Sequence, residues 1–117
     1  MSMNWGNPSA RYVTYGIARV GPGGWARLVA SGSSPLPQRQ WIKIQAKGKN
    51  SLAILYTHKN ADGTYTAPTE TAHRAIVYPG NSIIVEPIGD SVMAWGRCIP
   101  KVGSTDGGLR VIVNEYA

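Results

Sequence analysis

The chain has no phenylalanine, a single cysteine and few charges, and each scarcity narrows what it can be. With Cys98 alone, no intrachain disulfide forms, so the fold does not rest on an oxidised framework and synthesis in a reducing compartment is expected. Charged residues make up 15%, well below the roughly 25% of an ordinary globular chain. The opening MSMNWGNPSARY lacks the apolar stretch of a signal peptide. No run approaches the ~18 apolar residues of a membrane span. A soluble product made in the cytoplasm, with no membrane partner, is therefore expected.

Catalytic apparatus is also sparse. His58 and His73 are the only histidines, and no cysteine or carboxylate stands at metal-ligand spacing from either. Gly89-Asp90-Ser91 resembles the GDS motif of a hydrolase family, but that motif belongs on a strand-to-helix turn. Here it lies between two β segments, and all three residue types favour plain turns. Gly21-Pro22-Gly23-Gly24 lacks the helix and the Lys-Ser/Thr pair of a phosphate loop. Glu86 and Asp90 would be a carboxylate pair for glycoside hydrolysis only across a cleft. No enzymatic activity, cofactor or metal is expected.

What is present is strand and corner. Hydrophobic residues reach 43%, and 14 glycines and 8 prolines punctuate them. Trp41–Lys47 (WIKIQAK) alternates, with Ile42, Ile44 and Ala46 on one side and Lys43, Gln45 and Lys47 on the other, the mark of a half-buried strand. Leu109, Val111 and Val113 alternate likewise against Arg110, Ile112 and Asn114. Tyr12–Val20, Trp25–Ala30, Ser51–His58, Arg74–Tyr78, Ser82–Pro87 and Val92–Cys98 also read as strands. Pro68 makes Thr66–Thr71 an edge strand or a loop. Asp62-Gly63 signals a hairpin. Pro79-Gly80 fits a type II turn, whose geometry splays its flanking strands and suits a corner between sheets.

No window of helical periodicity is longer than a turn. The expectation is an all-β protein, a single antiparallel β-sandwich or jelly roll of about eight strands. Residues 1–10 form an extended N-terminal arm and residues 11–117 the sandwich domain. An open barrel of the OB type is the competing architecture.

Charge is distributed unevenly. Residues 1–61 hold eight Lys and Arg and no acid, whereas residues 62–117 hold all six acids and four bases. The first part is +8 and the second −2, which points to an acidic partner or to head-to-tail contact between copies. Folding that interleaves the two parts would blur this pattern. Trp and Tyr supply all the aromatic mass, and their polar tips suit contact surfaces as well as cores.

SLAILYT, RAIVYPGNSIIVEPIGDSVMAWGR and LRVIVNEY, between Ser51 and Tyr116, resemble segments of the small β-sandwich or jelly-roll proteins that decorate and cement the capsids of tailed bacteriophages. The resemblance covers a little over half the chain and lies in pattern. It implies a virion structural protein that sits on the outer shell, often as a trimer, and staples neighbouring capsomers. Its partners would be copies of itself and a major capsid or other virion protein. In that reading Arg11, Arg19, Arg27, Lys43 and Lys47 face an acidic shell surface, and the arm latches onto a neighbour through Trp5. Single-stranded nucleic acid is the alternative partner, with Trp41 interleaved among Lys43, Lys47 and Lys49 on an OB-like face. A carbohydrate-binding sandwich is a second alternative.

Overall fold

A computed structural model describes residues 13–30, 34–69, 72–86, 88–103 and 107–117. Among them there are eight strands and no helix: β1 (Val13–Val20), β2 (Ala26–Arg27), β3 (Trp41–Lys47), β4 (Ser51–His58), β5 (Ala75–Val77), β6 (Ser82–Val85), β7 (Val92–Ile99) and β8 (Leu109–Tyr116). They form two four-stranded sheets, ordered β1-β8-β3-β6 and β2-β7-β4-β5. Every pairing is antiparallel. The expected N-terminal arm, residues 1–10, lies outside the described residues.

The alternation in sequence becomes the two faces of each strand. Ile42, Ile44 and Ala46 of β3 and Leu109, Val111 and Val113 of β8 turn inward. They meet Leu52 and Ile54 of β4, Val77 of β5, and Ala94 and Cys98 of β7 from the opposite sheet in one buried cluster. The molecule is thus an all-β sandwich, as the strand pattern predicts.

The Pro79-Gly80 corner carries the chain from β5 in the second sheet to β6 in the first. Gly80 has φ +80°, the left-handed value that a type II turn demands at its second central residue. Because β5 and β6 lie in different sheets, the splay of that turn is useful and no hairpin forms.

Two segments depart from the expected strand pattern. Only Ala26–Arg27 of the second predicted strand pairs as β2. One further bond, Leu28 N to Ala94 O at 2.8 Å, continues the pairing before the chain passes close to β1. There the Ala30 amide donates to the Glu115 carboxylate at 2.8 Å, so a side chain replaces the ladder. At Asp62-Gly63 the turn forms, closed by Asn60 N to Thr64 O at 2.8 Å, but no second hairpin strand follows. Asn60 Nδ2 instead donates to the hydroxyls of Thr64 (3.1 Å) and Thr66 (2.8 Å), local bonds that compete with strand formation. The described residues of Thr66–Thr71 are not strand, the loop of the two expected alternatives.

The turn around Tyr65 has a second consequence. The buried Tyr65, Met93 and Trp95 form a smaller apolar cluster with Trp25 and Val29 packed against it. Met93 and Trp95 are on the opposite side of β7 from Ala94 and Cys98. The cluster therefore covers the outer side of the second sheet with the chain's own loop. Trp95 Nε1 donates to Thr57 Oγ1 at 2.7 Å, which satisfies the indole on that apolar side.

Candidate functional site

The first sheet is left open on its outer side. Tyr15, Ile17 and Arg19 of β1 point outward, as do Arg110, Ile112, Asn114 and Tyr116 of β8. Trp41, Lys43, Gln45 and Lys47 of β3 and Ser82 and Ile84 of β6 complete the face. Tyr15 (56% exposed), Ile17 (58%) and Ile84 (58%) are large apolar groups facing solvent.

The strand register sorts these residues into rows. Ile17 is opposite Ile112, which is opposite Gln45, which is opposite Ser82. The next row runs Tyr15, Asn114, Lys43, Ile84. At one end of the face Trp41 is opposite Tyr116, and their rings stack at 4.9 Å with an interplanar angle of 7°. At the other end Arg19 is opposite Arg110, which is opposite Lys47. The face therefore gathers Tyr15, Ile17 and Ile112 on its β1–β8 side and sets Ile84 on the β6 edge, with Asn114, Lys43 and Gln45 between them, a ring stack at one end and cations at the other. Among the described residues its four strands turn no carboxylate outward, because Glu115, the one acid within them, points into the core.

Of the residues expected to bind partners, Arg19, Trp41, Lys43 and Lys47 come together on this face. Arg27 does not: it lies on β2 in the other sheet, its guanidinium 5.5 Å from the Trp95 ring and 6.0 Å from the Tyr65 ring. Its Nη2 also donates to Tyr65 O at 3.5 Å, so it fastens the covering loop. Trp5 and Arg11 lie outside the described residues. Arg110 belongs to the face and was not among the expected residues. Its alternation with the apolar phase of β8 was the available signal, since a basic residue in the outward phase must reach the open side.

A shallow pocket of about 310 Å³ lies at the cationic end, lined by Arg19, Lys47, Gly48, Gly108 and Arg110. Another, of about 270 Å³, is lined by Tyr56, Thr57, His58, Val85, Ile88 and Val92 and is mostly apolar. Burial pushes the Tyr56 phenol above its ordinary pKa, so it stays a neutral hydrogen-bonding group there. His73 is exposed and away from that lining. Among the described residues no three His, Cys, Asp or Glu side chains gather to hold a metal.

Gly89-Asp90-Ser91 is occupied as a structural staple. Gly89 O accepts from Arg39 Nη2 at 3.1 Å, Asp90 O accepts from the Tyr65 hydroxyl, and Ser91 O accepts from Lys59 N at 2.7 Å. The Asp90 carboxylate faces Lys59 Nζ at 3.7 Å. No family model, no characterised relative and no solved structure matches the chain.

Proposed function

We propose that the protein is a non-enzymatic structural module of a virion, a decoration or cement protein that docks through the open face of its first sheet. The observation that carries this reading is the contrast between the two outer sheet surfaces. One is sealed by Tyr65 and its neighbours, while the other exposes Tyr15 and Ile17 next to Ile112 on β1 and β8, with Ile84 apart on β6 and cations on the same face. Contiguous exposed apolar groups with a polar surround are the signature of a protein interaction surface.

The strand order supports a jelly-roll reading of the sandwich. β1 pairs with β8, β2 with β7, β3 with β6 and β4 with β5, and these pairs alternate between the two sheets. A long two-stranded ribbon rolled on itself produces that order, and viral shell proteins are among its users. A fold hosts many functions, so the face and not the topology carries the assignment.

Magnitudes divide the labour on the face. Burying a large aliphatic or aromatic side chain contributes about 1.5–3 kcal/mol, whereas an exposed ion pair contributes about 1 kcal/mol at most. Tyr15, Ile17 and Ile84 thus supply affinity. Arg19, Lys43, Lys47 and Arg110 select an acidic partner surface and speed encounter. The partners in this reading are further copies of the chain, closed into a cyclic oligomer such as a trimer, and an acidic shell protein.

Sedimentation velocity and native mass spectrometry of the full chain test the oligomer. A closed oligomer that Ile17→Glu dissociates is expected, and a strict monomer at every concentration overturns self-association. Co-sedimentation with assembled shells tests the second partner, with stoichiometric binding expected and its absence counting against the cement role.

A further inference from the structure

We infer that the corner formed by Arg19, Arg110, Lys47 and the backbone of Gly48 and Gly108 is a binding site for a phosphate group. The inference goes beyond the docking reading and does not depend on it.

The strand register places three cations in one cross-strand row. Adjacent strands lie about 4.8 Å apart, so the row spans only about 10 Å. Like charges directly opposite each other destabilise a sheet, and here two such pairs are consecutive, Arg19 with Arg110 and Arg110 with Lys47. No other row of the face carries more than one cation. The three side chains and the two glycines line one pocket of about 310 Å³, and among the described residues no carboxylate lines it. An anion held there is attracted by all three side chains at once.

The backbone around the pocket is fixed from beneath. Asn50 is buried, and its Nδ2 donates to Gly108 O at 2.9 Å while its Oδ1 accepts from Lys101 N at 2.8 Å. Arg19 lies directly over Gly108. A Cβ on residue 108 would fall 2.5 Å from Arg19 Nη2 and 2.8 Å from Arg19 Cζ. Glycine at 108 is what lets the guanidinium rest on this floor.

Charge selects the ligand class. A carboxylate brings one negative charge to three cations. A phosphate brings about −1.5 to −2 at neutral pH, with several acceptor oxygens. Two guanidinium forks can each engage a pair of those oxygens. The free inorganic ion carries that charge, whereas the backbone of a single-stranded nucleic acid presents similar acceptor oxygens at one negative charge per phosphate; either can supply the phosphate group.

Isothermal titration calorimetry of the full chain with sodium phosphate, against sodium acetate at matched ionic strength, tests the site. Phosphate is expected to bind and acetate not. Arg110→Gln is expected to weaken phosphate roughly tenfold or more, the effect of losing charge-assisted hydrogen bonds. Gly108→Ala leaves the charge unchanged but displaces Arg19, and it is expected to weaken phosphate too. Arg74→Gln removes one exposed charge beside β5 of the other sheet and is expected to leave affinity within about twofold, since it removes no hydrogen bond to the ligand.

Competition by a short oligothymidylate assigns the site to a nucleic-acid backbone, and phosphate binding without such competition assigns it to the free ion. Both results support the site. Equal affinity for acetate and phosphate, or equal losses for Arg74→Gln and Arg110→Gln, overturns it.

Discussion

Arg39 and Glu115 meet inside the sandwich, with Arg39 Nη1 donating to Glu115 Oε2 at 2.6 Å and both side chains fully buried. Each partner is also tied to backbone. Glu115 accepts from Ala30 N at 2.8 Å and Leu36 N at 3.3 Å. Arg39 Nη2 donates to Gly89 O at 3.1 Å and Val92 O at 2.7 Å. The pair thus joins the end of β8 to the chain after β2, the approach to β3 and the start of β7.

Removing one member leaves the other charge buried and several backbone groups without partners. Such a loss costs about 3–5 kcal/mol. Arg39→Ala and Glu115→Ala are each expected to destabilise the chain by that amount in urea unfolding. The double variant is expected to cost clearly less than the sum of the two, because neither charge is then stranded. Strict additivity would show that the two side chains do not act as a unit.

This pair also marks how far the sequence could be read. β3, β4 and β8 begin and end where alternation and turn residues predict, and the Pro79-Gly80 corner follows from its two residues. The phase of each strand says which side a residue faces, so the outward placement of Lys43, Lys47 and Arg110 was legible. Which residues become neighbours was not, because Arg19 and Arg110 are joined by the register of strands distant in the chain. Glu115 left a visible trace. It falls in the inward phase with Leu109, Val111 and Val113, and an acid there requires a buried cation. Arg39 gave no counterpart signal, since it precedes β3 outside any alternating run. Arg27 was misleading for the same reason. A two-residue edge strand has too little pattern to show that its charge caps the rings of Tyr65 and Trp95.

Two glycines in strands differ in what surrounds them. A Cβ on Gly16 of β1 would meet the Ala30 carbonyl oxygen and lie 2.9 Å from the Ala30 carbonyl carbon and Cα. All three are backbone atoms, which cannot step aside. A Cβ on Gly96 of β7 would lie 2.9 Å from both Leu28 Cδ2 and Leu52 Cδ1, the ends of side chains that can rotate. Gly16→Ala is expected to destabilise by about 1–3 kcal/mol, the usual cost of overpacking. Gly96→Ala is expected to cost less. Thermal unfolding of the two variants checks the order, and a reversed order would contradict the close approach of β1 to Ala30.

Asp62 gives a local pH dependence with a definite sign. Its carboxyl is held below the ordinary range, first by the Thr64 hydroxyl at 2.6 Å and then by the Thr64 N–H at 3.0 Å. A depressed carboxyl adds stability above its unfolded pKa and loses it as the pH falls through its lower folded value. The group is fully exposed, so solvent screens the effect on global stability. The titration itself reports the contact. Thr64→Val deletes the hydroxyl and keeps the amide, so the Asp62 midpoint followed by NMR is expected to rise toward the ordinary value. A midpoint that does not move would remove the hydroxyl as the leading cause.

The open face makes its own prediction, on partner binding and not on folding. Ile17 is 58% exposed in the isolated chain, so Ile17→Glu is expected to change folding stability by no more than about 0.5 kcal/mol. In the docked state the same change places a carboxylate beside Tyr15 and Ile112 and removes an aliphatic burial contributing about 1.5–3 kcal/mol. Binding to copies or to a shell should therefore fall by at least about tenfold. Lys43→Gln, one row away, removes an exposed charge whose pair contributes about 1 kcal/mol at most. Its loss should be smaller and should vanish at high salt, where screening shortens the reach of charge to about 3 Å at 1 M. The Ile17→Glu defect should persist in that salt. If the two variants respond to salt alike, charge and not apolar burial holds the partner, and the division of labour drawn from Tyr15, Ile17 and Ile84 is wrong.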